Sequence, residues 1–115
     1  MNSLPVSLAG TATDPMAEVL TALADPTRRL LLDALAAHGE ATATTLAERL
    51  PVSRQAIGKH LAVLDRAGLV TGQKQGREVR YSVRPEPLDA TAAWMTKVAH
   101  QWDSRLSRIK QIAES

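Results

Sequence analysis

The tightest constraint in this chain is the order of signals in residues 51–84, PVSRQAIGKHLAVLDRAGLVTGQKQGREVRYSVR. Ser53 can cap a helix, Ile57, Leu61 and Leu64 give that helix one apolar face, and Gly68 ends it. Residues that alternate in polarity follow at once, so a two-stranded hairpin must come directly after the helix. The same stretch carries Arg54, Lys59, Arg66, Lys74, Arg77, Arg80 and Arg84 against Asp65 and Glu78, a surplus of +5 in a chain whose formal charge is +2. A local cationic surplus on a helix-plus-hairpin unit is what docking on a polyanion requires.

Upstream, Asp14-Pro15 and Asp25-Pro26 each place a carboxylate cap before a proline whose φ is preset for a first helical turn. They predict a first helix from Met16 to about Leu23, with Val19, Leu20 and Leu23 facing inward. A second helix is expected from Pro26 to about Ala37, with Leu30, Leu31, Ala34 and Leu35 buried and Gly39 as its stop. A third runs from Thr42 or Ala43 to Leu50 with Leu46, Ala47 and Leu50 apolar. Pro51-Val52 then forces a turn into the helix opened by Ser53, which makes 41–67 a helix-turn-helix.

Strands are expected at Leu69–Gln73 and Glu78–Val83, with Gln75-Gly76-Arg77 as a polar, flexible tip, so that 69–84 forms the hairpin. In the second strand Val79, Tyr81 and Val83 share one side and Glu78, Arg80 and Ser82 the other. Residues 1–13 are uncharged and rich in Ser, Thr, Gly and Pro, which predicts a loose N-terminal arm ahead of one domain over 14–115.

The last helix, expected over 88–113, carries a second strong pattern. Leu88, Ala92, Met95, Ala99, Trp102, Leu106, Ile109 and Ala113 recur at alternating spacings of four and three, a seam of the coiled-coil type. Such a seam needs a partner surface, and a second copy of the chain is the simplest one. Met95, Ala99, Trp102, Leu106 and Ile109 are therefore the expected dimer interface, anchored at Trp102 and Leu106, with the first helix packed against it.

Composition excludes several classes of function. There is no cysteine, hence no disulfide, thiolate metal site, thiol switch or cysteine nucleophile. Aromatic residues are 3% of the chain, too few for recognition of single strands by base stacking. Neither a secretion signal nor a membrane-length apolar run is present, so a soluble cytoplasmic protein without membrane contact is expected. No Gly-rich phosphate loop, nucleophile elbow or carboxylate pair beside a histidine is found, and His38, His60 and His100 fall on three different helices. No enzyme and no cofactor are expected.

On a helical projection Gln55, Lys59, Ala62 and Arg66 lie opposite the Ile57, Leu61, Leu64 stripe, and Gly58 and Ala62 keep that face thin. Small residues there let a helix sit deep in a major groove while Arg54, Gln55 and Lys59 reach base edges and phosphates. Ser53 and the first-turn amides suit a phosphate oxygen. Lys74, Arg77 and Arg80 of the hairpin would straddle the flanking backbone or enter the minor groove. His60 lies at the edge of the buried stripe, suited to packing or a phosphate contact rather than base reading. Two other readings compete: a module of the same shape that binds protein, and a DNA binder without sequence preference. The polar tip Gln73-Lys74-Gln75-Gly76-Arg77-Glu78 disfavours the first, and Gln55, suited to adenine, disfavours the second.

The segments Ala24-Asp25-Pro26-Thr27-Arg28-Arg29-Leu30-Leu31-Leu32, Leu46-Ala47, Val52 to Leu61, Leu64 to Val70 and Gly76-Arg77 to Tyr81 together resemble the ArsR-type winged helix-turn-helix repressors. The resemblance covers roughly residues 16–84, with the final helix similar in placement. It implies a mainly α fold with a small β-hairpin and a long C-terminal dimerisation helix. It also implies a homodimeric regulator that binds an imperfect palindrome in double-stranded DNA near its own or a neighbouring promoter. The family's recognition-helix contacts carry over to Ser53, Arg54, Gln55 and Lys59, and its wing contacts to the loop around Arg77.

Many members release DNA on binding metal, through cysteines on the third helix or through Asp-x-His with a later His-x-x-Glu on the last. This chain departs from both patterns. It has no thiolate, and Asp89-Ala90-Thr91 lacks the histidine, which leaves His100 and Asp103 one turn apart as a surface pair. Thiolate-metal sensing is thereby excluded, no metal site is assigned, and the effector is unassigned. Trp94 and Trp102 read as dimer core, with room beside them for an apolar small molecule as the alternative. Arg28 and Arg29 oppose the dipole at the start of their helix and need a compensating partner: Asp25, Asp33 or a DNA phosphate.

Overall fold

The first four helices each begin where a short polar side chain takes over an orphan amide. In a computed structural model describing residues 14–114, α1 (Pro15–Leu23) is capped by Asp14 and α2 (Pro26–His38) by Asp25, whose Oδ1 accepts from the Thr27 and Arg28 amides at 2.8 and 3.3 Å. Gly39, at φ +82°, ends α2. Strand β1 (Ala41–Thr42) follows, then α3 (Ala43–Arg49), the turn, and α4 (Arg54–Arg66), whose cap Ser53 accepts from the Ala56 amide at 3.1 Å. The chain continues through β2 (Val70–Gln75), β3 (Glu78–Val83) and α5 (Glu86–Glu114). The expected N-terminal arm, 1–13, lies outside the described residues.

The end of α4 sets the direction of the wing. Gly68 takes φ +78°, its amide donates to the Asp65 carbonyl at 2.9 Å, and the Leu69 amide donates to Leu64 at 2.9 Å. That pair of bonds is a Schellman motif, which turns the chain sharply from helix into β2 and buries Leu69 and Val70. Strands β2 and β3 pair antiparallel from Val70↔Val83 to Gln75↔Glu78, so the tip is the two-residue turn Gly76-Arg77, with Gly76 at φ +64°. The first strand thus reaches Gln75 rather than Gln73, because Gly76 alone supplies the conformation the reversal needs.

The sheet has three strands in the order β1-β3-β2. The sequence shows no sign of β1: two residues carry no periodicity, and their pairing with Tyr81 and Arg80 is remote in the chain. Thr42 belongs to β1 and also caps α3, its Oγ1 accepting from the Thr45 amide at 3.1 Å. Thr42 thereby links the pairing of the wing directly to the start of the helix-turn-helix.

Val19, Leu31, Leu35, Leu46, Ile57, Leu61, Leu64 and Leu69 are closed from solvent and form the centre of one core shared by the four helices α1 to α4 and the sheet. Two inward assignments fail. Leu20 is 38% exposed and Leu30 48% exposed, while Ala22 and Leu32 take the buried positions. The helices are rotated from the expected projection, with Ala22 of α1 and Leu32 of α2 turned into the core that both helices share with α4. Beyond Thr91, whose hydroxyl donates to the Pro87 carbonyl at 2.8 Å, no described residue of α5 is buried. At 29 residues α5 is about 43 Å long, and most of that length projects from the core.

Candidate nucleic-acid interface

The buried stripe of α4 fixes which face looks outward. With Ile57, Leu61 and Leu64 at zero exposure, Ser53, Arg54, Gln55, Gly58, Lys59 and Ala62 are all exposed. A Cβ placed on Gly58 would meet nothing within 4 Å, so this face is open and the backbone itself forms part of its surface. The low profile expected from Gly58 and Ala62 is present.

Beside this face lies a cleft of about 330 Å³ between the start of α3, the first turns of α4 and the wing. Arg54, Gln55, Gly58 and Arg77 line it together with Thr42, Thr44 and Tyr81. Arg54 does not swing freely: its Nε donates to the Thr44 hydroxyl at 3.0 Å, which ties the first residue of α4 to α3. Lys59, Lys74 and Arg80 do not line the cleft. Lys74 is exposed opposite Val79 on the wing, and Arg80 stands 3.8 Å from Glu40, which offsets part of its charge. Thr44 has no local signature in the sequence, and the alternation that places Tyr81 in a strand does not mark it as a cleft residue. Only Gly72 hints at Tyr81: a glycine inside a strand marks a close approach, and a Cβ there would fall 3.0 Å from the Tyr81 ring.

His60 is half-buried and turned toward the α1–α2 corner, its Nδ1 3.4 Å from Nη1 of Arg28. Arg28 also donates from Nε to the Ala22 carbonyl at 2.7 Å and from Nη2 to Thr21 at 3.3 Å, and lies 3.8 Å from Asp25. Arg29 donates to the Leu23 carbonyl. The two arginines at the unfavourable end of α2 are thus compensated chiefly by the carbonyls that close α1, where the dipole welcomes a cation. Neighbouring contacts also act on the Asp25 carboxyl. Partial desolvation pushes it up, but the amides of Thr27 and Arg28 and the charge of Arg28 outweigh that and hold it below its ordinary value.

On α5, Met95, Trp102, Leu106 and Ile109 are 53–61% exposed, and Ala99 is exposed among them. Arg105 lies 5.9 Å from the centroid of the Trp102 ring. The hollow beside Trp102 is small, about 80 Å³, whereas a more apolar cavity of about 340 Å³ lies at the base of α5 against Val19, Ala67 and Thr91. Among the described residues no three His, Asp or Glu side chains gather as a metal site. No described helix is long and apolar enough to cross a membrane.

Comparison with known proteins bears on the same elements. A family model described as "Helix-turn-helix domain" matches residues 23–73. The transcriptional repressor SdpR of Bacillus subtilis (strain 168) is 33% identical over 79% of this chain and 100% of its own length. The HTH-type transcriptional regulator Rv2034 of Mycobacterium tuberculosis is 39% identical over 82% of this chain and 84% of its own. Among solved structures, an ArsR-like transcriptional regulator from Rhodococcus sp. RHA1 superposes with a TM-score of 0.77 at 48% identity, covering 88% of this chain and 94% of that one. By name, these relatives are regulators of transcription. With its four-helix core, basic wing and long final helix, the chain belongs to the ArsR-type winged helix-turn-helix family of DNA-binding transcriptional regulators.

Proposed function

We propose that this chain is a homodimeric repressor that acts on cytoplasmic DNA at an imperfect palindromic operator. The observation that carries the reading is the thin, open face of α4 beside a basic wing, with Arg54, Gln55, Gly58 and Arg77 around one cleft. In this reading α4 enters the major groove, Gln55 and Arg54 address base edges, and Lys59 and the Ser53 end of the helix meet phosphates. Lys74, Arg77 and Arg80 extend the contact to the flanking backbone.

The dimer reading rests on Met95, Trp102, Leu106 and Ile109, a row of large apolar side chains that one chain leaves in water. Leu20, a further exposed apolar side chain, lies on α1, the helix that packs against α5. Two copies joined there present two α4 faces, and half-sites about one helical turn apart follow from that symmetry. SdpR carries the word repressor in its name, which supports repression as the outcome.

Selection from a random duplex pool tests the proposal. Recovery of a two-fold symmetric motif bound by two protein chains supports it. Recovery of no shared motif would overturn sequence-specific recognition.

A further inference from the structure

The buried stripe of α4 sets which face looks outward, but hydrophobic contact is non-directional, so it leaves the fine rotation of the helix about its own axis to directional bonds. A directional bond at the edge of that stripe would fix it. The polar contact in that position is between His60 on α4 and Arg28 on α2.

Arg28 is only 16% exposed in its side chain and is anchored before it meets α4 at all. Its Nε and Nη2 are spent on the carbonyls of Ala22 and Thr21, and Asp25 stands behind it at 3.8 Å. Nη1, the nitrogen nearest the Asp25 carboxylate, also faces Nδ1 of His60 at 3.4 Å. A guanidinium only donates, so the ring nitrogen it meets must carry no proton. On α4 itself the adjoining turns offer the imidazole only Ala56, Ile57, Val63 and Leu64.

We propose that Arg28 and His60 form a positioning bridge that fixes the rotation of α4 on the α1–α2 corner, with His60 held as the Nε2–H tautomer. The bridge rests on the reading of α4 as the base-reading helix. Its consequence is specific. Loss of the bridge lets the outer face of α4 rotate, which blurs base discrimination while contacts to phosphate, tolerant of small shifts, persist. Because α1 also packs against α5, the bridge joins the base-reading element to the helix that holds the second copy.

Asn is the informative replacement, since its Oδ1 is as many bonds from Cβ as the imidazole Nδ1 and can only accept. It removes Nε2 altogether. The experiment has two arms on the full-length protein.

Long-range proton–nitrogen NMR of the imidazole rings, assigned by loss of a signal in His60→Asn, should show His60 with bare Nδ1 and protonated Nε2. A predominant Nδ1–H form would overturn the bridge, with or without DNA.

The second arm measures affinity for a selected operator duplex and for a random duplex. His60→Leu should lower the ratio of the two roughly threefold to tenfold, the range of one lost hydrogen bond. His60→Asn should retain the wild-type ratio, and both variants should melt cooperatively. If His60→Asn falls with His60→Leu while both stay folded, Nε2 touches DNA and the bridge is refuted. If the wild type itself prefers no duplex, the operator reading fails, and the tautomer alone decides the bridge.

Discussion

The Nε of Arg54 donates to the hydroxyl of Thr44 at 3.0 Å, so a residue of the supporting helix aims a residue of the outward helix. A long, flexible side chain loses much of its binding entropy cost when a neighbour already holds it in place. Thr44→Val keeps the shape and removes the acceptor. It should weaken operator binding by about 0.5–1.5 kcal/mol, roughly twofold to tenfold, at unchanged melting temperature. Fluorescence anisotropy titration measures it, and an unchanged affinity would mean that Arg54 gains nothing from being held.

Gly58 opposes stability to function. It sits inside α4, where glycine costs about 1 kcal/mol relative to alanine, yet a Cβ there would meet only open space. Gly58→Ala should raise the melting temperature by about 4 °C. The added methyl stands on the face that approaches the groove, so operator binding should weaken in the same variant. Calorimetry and anisotropy together check the pairing of signs.

Trp102 is 56% exposed in the single chain and lies mid-seam. Trp102→Ala should raise the dimer dissociation constant about thirtyfold, corresponding to roughly 2 kcal/mol at an interface anchor. Sedimentation equilibrium reads the change directly. A dimer of unaltered strength would place the interface on another surface.

Much of this architecture is legible in the sequence. Asp14, Asp25 and Ser53 mark three helix starts, Gly39 and Gly68 mark two stops, and the seam from Leu88 to Ala113 lies on one continuous helix. These signals are local, set by side chains within one turn of the backbone they satisfy. What escapes is non-local. The pairing of β1 with β3, the hold of Thr44 on Arg54 and the grip of Arg28 on α1 each join residues that no period connects. Leu20 and Leu30 were expected inside for a related reason: a two- or three-turn helix rich in Leu and Ala fits more than one rotation, and the neighbouring helix chooses among them.

Acid should act through Asp25. Its folded carboxyl lies below the ordinary value of 3.8, so ionised Asp25 stabilises the fold, fully so above the unfolded value, and that contribution disappears as pH falls through the lower folded value. Asp25→Asn keeps an oxygen for the Thr27 amide and removes the charge. The melting-temperature advantage of wild type over this variant should be flat above about pH 5 and shrink below it. An advantage that grows in acid would reverse the assigned sign.

The division of labour between α4 and the wing can be measured in one set of titrations. Wild type, Gln55→Ala and Arg77→Ala are titrated with a selected operator and a random duplex across a range of salt. Gln55→Ala should lose preference for the operator with its salt slope nearly intact. Arg77→Ala should bind both duplexes more weakly, with a slope smaller by about one. If both substitutions weaken the two duplexes equally, α4 does not read bases, and the account of this surface is wrong.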